Sequence, residues 1–446
     1  VLALATIGAA DVPPGTRFGL YVATLDGREI AATRADERFV PASNTKIFTT
    51  TAAFETLPVD VPDSAGGAAV RIEGRDVVLV GHGDARLSSA ADCVADCLAT
   101  LADAVAAKTR AVRDVIGDDS AFPDERWSPG MSWNNIATRS GAAVSALTLD
   151  DNAAAVTVAP GADSGDGYYA IEDRVTIAGV TKLSVERAPN ARVLRVSGTI
   201  AAGTAPVRLL SSVDDPAHRA AWRFASMLRA RGVRVSGAIG VRHRGPSAAD
   251  DPKARGGAPA ARVPEGEVLA RVVPGPLRED LVTTNKTSQN LHAELLLRRL
   301  GAVAGSGSIA DGLAAVEAVV ARAGVTRGAW DLSDGSGMST YNRVSPRGMV
   351  TLLRWAAGRP WGAAFRATLP VAGVDGTLRS RFRGTALEAR LQAKTGTLNA
   401  ANALAGYLTA KSGATLVFAA YAADMPGDAS ATAAMDAILV RVAEEN

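Results

Sequence analysis

Residues 17–23 and 29–33 are short β-type runs, and Asp26-Gly27 between them is a strong hairpin signal, so an antiparallel ribbon is expected there. After Phe39-Val40-Pro41-Ala42 the period changes. Ile47, Phe48, Ala52, Ala53 and Phe54 recur at helical spacing and predict a helix that begins at Ser43. From about residue 66 strand and helix patterns alternate: strand 76–81, helix 91–107, strand 112–117, helix 216–231 and strand 233–241. Such alternation points to parallel β-α-β units and a second domain. Within it, residues 161–203 carry strand patterns at 174–177, 182–186 and 193–197 without any helical period, which predicts a small all-β unit. Residues 245–266, rich in Pro, Ala, Gly and charge, have the texture of an exposed linker. Beyond it helices are expected at 288–300, 309–323, 346–357 and 430–444, and strands at 387–396, 402–410 and 414–423.

These elements predict an α/β (α+β) protein in three parts. A catalytic domain is split between residues 1–62 and 272–446, with its first and last hairpins in one antiparallel sheet flanked by helices. An inserted α/β domain takes residues 63–160 and 206–271, and a small all-β domain, residues 161–205, is nested inside it.

A chain of 446 residues, 47% hydrophobic, can bury a substantial core. Its 48 basic and 46 acidic residues leave a net charge of +2, which argues against nucleic-acid binding. Lysine is scarce: Lys46, Lys108, Lys182, Lys253, Lys286, Lys394 and Lys411 are all there are. No stretch approaches a membrane span, and residues 1–10 are too short and lack a basic flank. A start without Met fits a mature exported protein and fits a fragment boundary equally. Cys93 and Cys97 read either as two buried thiols or as a local disulfide at a helix start; no further ligand lies nearby to favour a metal. His82, His218, His243 and His292 are scattered, which argues against a metal site or a Ser-His-Asp triad.

Ser43-Asn44-Thr45-Lys46 sets a hydroxyl and an amine one helical turn apart. A serine nucleophile needs a base, and lysine serves only when burial, neighbouring positive charge or a helix start lowers its pKa. Ser288-Gln289-Asn290 opens a predicted helix, where serine is also a good cap. A second hydroxyl there could relay a proton, and the amide could hold a substrate carbonyl. Lys394-Thr395-Gly396-Thr397 ends a predicted strand; a cation and two hydroxyls suit a carboxylate-ended substrate, and the glycine permits close backbone approach.

S-x-x-K, S-x-N and K-T-G in this order are the linked motifs of penicillin-binding proteins and serine β-lactamases. The long interval between Lys46 and Ser288 implies a large insertion. The chain therefore resembles the class C low-molecular-mass penicillin-binding proteins, the D-alanyl-D-alanine carboxypeptidase/endopeptidases. Gly81-His82-Gly83-Asp84, Asp334-Gly335-Ser336-Gly337, Asn342-Arg343-Val344-Ser345-Pro346 and Asp375-Gly376-Thr377-Leu378 also match that family's pattern, although His82 and Ala85 depart from it.

The resemblance implies Ser43 as nucleophile, Lys46 as its base, Ser288 and Lys394 in proton transfer, and Asn290 on the acyl-side amide. It further implies Lys394, Thr395, Gly396 and Thr397 around the substrate carboxylate, Arg343 as a further substrate contact, and the N–H groups of Ser43 and Thr397 as oxyanion hole. Met131 to Asn135 would approach the stem-peptide side chain. No cofactor or metal is implied. The partners would be peptidoglycan stem peptides, with β-lactams as inhibitors; the place of action would be periplasmic or extracellular, with peripheral membrane association left open. Rival readings are a β-lactamase or esterase on the same domain, and an inactive cell-wall-binding protein.

Overall fold

A computed structural model describes residues 12–259 and 265–446. Residues 1–10, read above as too short to span a membrane, and residues 260–264 of the expected linker lie outside the described residues. Among the described residues no single helix is long and apolar enough to cross a membrane.

The catalytic sheet has five antiparallel strands in the order Leu391–Leu398, Ala401–Thr409, Thr415–Ala423, Arg17–Thr24 and Glu29–Thr33. The first and last hairpins thus share one sheet, with Arg17 opposite Ala423. Both faces of the inner strands are covered. Phe18, Leu20 and Val22 point to one side, against Met435, Ile438 and Leu439 of the helix Thr432–Glu445. Tyr21 and Ala23 point to the other, against Ile47, Met349 and Leu353. Burial on both faces explains why this strand reads as a nearly unbroken apolar run. Three helices pack on that second side: Thr45–Thr56, Ile309–Arg322, capped by Ser308 onto Asp311 N, and Pro346–Ala357, capped by Ser345 onto Gly348 N. The helix Asn290–Ala304 joins them through Leu296, Leu297 and Leu300.

The inserted unit is mixed rather than purely parallel. Ile239–Arg244, Val115–Pro123 and Asp76–Val80 run parallel, but Ala69–Glu73 and Ala270–Arg271 continue the sheet antiparallel. The cause is local: Gly74, at φ 62, closes a tight hairpin between Glu73 and Asp76. The helix expected from residue 91 begins only at Leu98, because a Cys93–Cys97 disulfide and Asp96 at φ 55 hold the preceding segment as a loop. The disulfide decides between the two cysteine readings. The strand expected over 233–241 is broken into Arg234–Val235 and Ile239–Arg244; a Cβ at Gly237 between them would lie 1.9 Å from Asp114 Oδ1.

Two three-stranded sheets form the small β unit, with Val156, Val158, Leu194, Val196 and Ile200 between them. Its strands run from Ala153 to Ser212, beyond the 161–205 expected. The expected linker is partly docked. Within it lie the turn Ala248–Asp250 and the short helix Pro252–Arg255; Ser308 Oγ donates to Asp250 O at 2.6 Å and Arg255 pairs with Asp311 at 2.7 Å.

Candidate active site

The chain enters the site through a tight 3-10 turn, Ala42–Asn44, and the helix proper starts at Thr45. Ser43 is therefore in the turn, not the first residue of the helix, and Ala42 before it is held at φ 46. A non-glycine residue in that region costs about 1–3 kcal/mol, tolerated where surrounding structure fixes it. Here two glycines make room. A Cβ on Gly337 would lie 1.9 Å from Ala42 O, and one on Gly396 would lie 2.6 Å from Pro41 O and 3.1 Å from Ser43 N. Gly396, expected beside substrate, is buried against the nucleophile turn instead.

Lys46 is fully buried, yet its ammonium nitrogen has three partners: Ser43 Oγ at 3.0 Å, Asn290 Oδ1 at 2.6 Å and Ser336 O at 2.6 Å. Burial lowers its pKa from 10.5 to about 7, while Asp334 and then Glu294 pull it back upward. Of the three influences invoked from sequence, burial dominates. Both acids are structural anchors of the loop behind Lys46. Glu294 Oε1 accepts from the N–H groups of Gly335 at 3.0 Å and Ser336 at 2.9 Å. Asp334 accepts from Gly337 N at 2.9 Å, Ser339 N at 2.6 Å and Asn342 Nδ2 at 2.6 Å, and burial beside Glu294 raises its pKa to about 6. This loop delivers the Ser336 carbonyl to Lys46.

Ser288 does not cap a helix. Gln289 does, its side chain accepting from Leu291 N at 3.2 Å, and Ser288 lies before it at φ 61. That conformation aims the Ser288 hydroxyl at Lys394 Nζ, 2.9 Å away. Lys394 is also fully buried, and it donates a further hydrogen bond to Thr395 O at 3.0 Å. Burial, with the charge of Lys46 adding to it, drives its pKa well below the usual lysine value. Asn44 Nδ2 donates to Lys394 O at 2.7 Å and so ties the nucleophile turn to this strand.

Around this centre, Thr395 Oγ1 lies 2.7 Å from Thr377 Oγ1, and Thr397 is exposed farther along the strand. Asn290 Nδ2 donates to Ser140 O of the inserted unit at 2.8 Å. A small cavity beside Asn290 is lined by Trp127, Met131, Ser140, Leu291, Ser336 and Met338, and so by both units. Arg343 is not drawn in; its guanidinium donates to Thr340 O at 2.7 Å and Asn342 O at 2.8 Å of its own loop.

Sequence reading missed Asn44, Glu294 and Thr377. Glu294 left a signal, as an acid on the same helical face as Asn290 within a run of leucines. Asp119, Asp124 and His243 come close enough to share an ion, but Arg126 stands among them, 2.7 Å from Asp124 Oδ1 and 3.2 Å from His243 Nε2. The group is an ion-pair network of the inserted unit.

The architecture is similar to crystal structures of penicillin binding protein 4 from Haemophilus influenzae. One superposes with a TM-score of 0.76 at 22% identity, covering 98% of this chain and 96% of the other. A second, complexed with a β-lactam, gives 0.74 at 22% identity over 97% and 96%. Fold and site together define a serine peptidase of the penicillin-binding type. The chain belongs to the D-Ala-D-Ala carboxypeptidase 3 (S13) family, whose profile matches residues 4–445. It is 35% identical to a D-alanyl-D-alanine carboxypeptidase of Actinomadura sp. (strain R39), over 95% of this chain and 80% of that protein. A carboxypeptidase of Mycobacterium tuberculosis is 30% identical over 94% and 78%.

Proposed function

We propose that this serine-type D-Ala-D-Ala carboxypeptidase acts on peptidoglycan stem peptides by acyl transfer through Ser43, outside the cytoplasmic membrane. The neutral Lys46 amine takes the Ser43 proton as Oγ attacks the penultimate D-alanyl carbonyl. The N–H groups of Ser43 and Thr397 receive the developing oxyanion. Ser288, with Lys394, passes the proton that Lys46 took to the departing amine, which leaves Lys46 neutral again, and Thr395 and Thr397 meet the carboxylate beside it. Asn290, already paired to Lys46 and Ser140, holds the acyl-side amide. Water then hydrolyses the ester, restoring Ser43. A terminal D-alanine and a D-alanyl cross-link both leave an amine next to a carboxylate, so the same site serves carboxypeptidase and endopeptidase reactions. β-Lactams acylate Ser43 as mimics of the dipeptide.

The catalytic domain in this reading comprises residues 12–62 and 272–446, with the other units inserted between them. The disulfide Cys93–Cys97 fits an oxidising compartment and so export. One observation carries the proposal: Lys46 Nζ lies 3.0 Å from Ser43 Oγ in a setting whose burial strips the amine of its proton near neutrality. Mass spectrometry after incubation with benzylpenicillin tests it. The adduct is expected on Ser43, released slowly, and absent from Ser43→Ala; an adduct that survives that substitution would overturn the assignment.

A further inference from the structure

Ser288 sits in a backbone conformation that non-glycine residues avoid, so something must hold it there. The restraint comes from outside the catalytic sheet. Asp150, Asp151 and Asn152 of the inserted unit form a turn with three successive positive φ values, 51, 56 and 52. Asp150 and Asn152 face inward: Asp150 accepts from Ser89 N at 2.8 Å and Ser89 Oγ at 2.7 Å, and Asn152 Nδ2 donates to Ala143 O at 2.8 Å. With its neighbours fixed, Asp151 projects across the boundary toward the helix that follows Ser288.

There one carboxylate grips two adjacent points. Asp151 Oδ2 accepts from Gln289 Nε2 at 3.1 Å, and Oδ1 lies 3.3 Å from His292 Nε2. The other imidazole nitrogen, His292 Nδ1, lies 3.0 Å from Asp280 Oδ1 of the catalytic helix Arg278–Lys286. His292 is thus a buried bridge between a carboxylate of each unit. Burial works against its charge, but the carboxylates of Asp151 and Asp280 prevail and lift its pKa to about 9. Arg139 and Arg86 balance the two acids, at 3.2 Å from Asp151 and 3.4 Å from Asp280. Gln289 is both the cap of the helix and the residue between Ser288 and Asn290. Whatever fixes its side chain fixes the direction from which both neighbours enter the cleft.

We infer that Asp151 is a positioning residue for the reaction: through Gln289 and His292 it holds the Ser288-Gln289-Asn290 segment in register with Lys46 and Lys394, making the inserted unit part of the catalytic apparatus. The inference rests on the acyl-serine reading above. Asp151 touches none of the reacting groups; it acts by keeping the Ser288 hydroxyl on Lys394 and the Asn290 carbonyl on Lys46.

The test measures benzylpenicillin acylation by stopped-flow in the full chain, separating the rate constant for acylation from the affinity of the preceding complex. In Asp151→Ala the acylation rate is expected to fall by about 10- to 100-fold, as for misplacement of a catalytic group by an ångström, with affinity nearly unchanged. In a Ser288→Ala background the same substitution should cost clearly less, since one of the two groups it positions is gone and only the share acting through Asn290 remains. Asp151→Asn, which keeps the shape and one acceptor, should fall between. The inference is overturned if a folded Asp151 variant acylates within about twofold of the native rate, or if its loss is undiminished in Ser288→Ala. Where Asp151→Ala does not fold, Asp151→Asn is read by the same two criteria. A native protein that takes up no benzylpenicillin defeats the acyl-serine reading and this inference with it; a native protein that is acylated, beside variants that keep its rate, defeats this inference alone.

Discussion

The two sides of the nucleophile each carry a fully buried lysine, but the surroundings differ. Behind Lys46 stand Asp334 and Glu294, which oppose the effect of burial and leave its pKa at about 7. Lys394 has no such acid among the causes of its shift; burial lowers it, and the Lys46 charge lowers it further. Burial alone favours the neutral form of either amine. The acids on one side convert it into a group that gains and loses a proton near neutrality, which a recycling base requires. On the other side the counter-charge is missing, and a substrate carboxylate is the natural group to supply it.

Removing either amine breaks this comparison most severely. Lys46→Met should lower acylation by roughly 10²–10⁴-fold toward every acyl donor, since general-base catalysis is lost. Lys394→Met should cost as much only for donors with a free carboxylate; toward an uncharged ester the loss should be far smaller, and rates measured with the paired donors decide it. Equal losses for both donors would erase the distinction between the two sides.

The pH profile sharpens the contrast. The neutral form of Lys46 is the base, so acylation should fall as pH drops through about 7 and level off above it. Glu294→Gln keeps an acceptor for Gly335 and Ser336 but removes a charge that raises the Lys46 pKa, so the midpoint should move to lower pH. Linkage gives a matching effect on stability. The unfolded chain holds the lysine proton up to 10.5 and the folded one releases it at about 7, so the unfolded state binds more protons in between and stability rises with pH across that window. Urea denaturation at several pH values measures the slope.

The smallest effect is expected at the tie between the halves. Asn44→Ala removes the donor to Lys394 O and should destabilise by about 1–3 kcal/mol, read from the urea midpoint.

The parts legible in the sequence were those with local rules. Three short motifs, the Asp26-Gly27 hairpin signal and strand-like runs at 17–23, 402–410 and 414–423 announced the catalytic sheet and its chemistry. What escaped depended on distant partners. The conformation of Ser288 is set by residues on another unit, so nothing in its neighbours distinguishes it from a helix cap. The acids that tune Lys46 lie far along the chain, and only folding brings Glu294 and Asp334 behind it. The helix predicted from residue 91 failed because a disulfide overrides a permissive apolar pattern. Arg343 was chosen for its motif, and its loop takes up one nitrogen of its guanidinium, Nη1.

The pairing of Arg17–Thr24 with Thr415–Ala423 also governs when the enzyme can come into being. The ribbon has no neighbour on that side until residues 415–423 have been made, and long-range strand pairing is slow. In the proposed mechanism Ser43 is therefore armed late: until those strands dock, its turn lacks the Lys394 edge to which Asn44 donates.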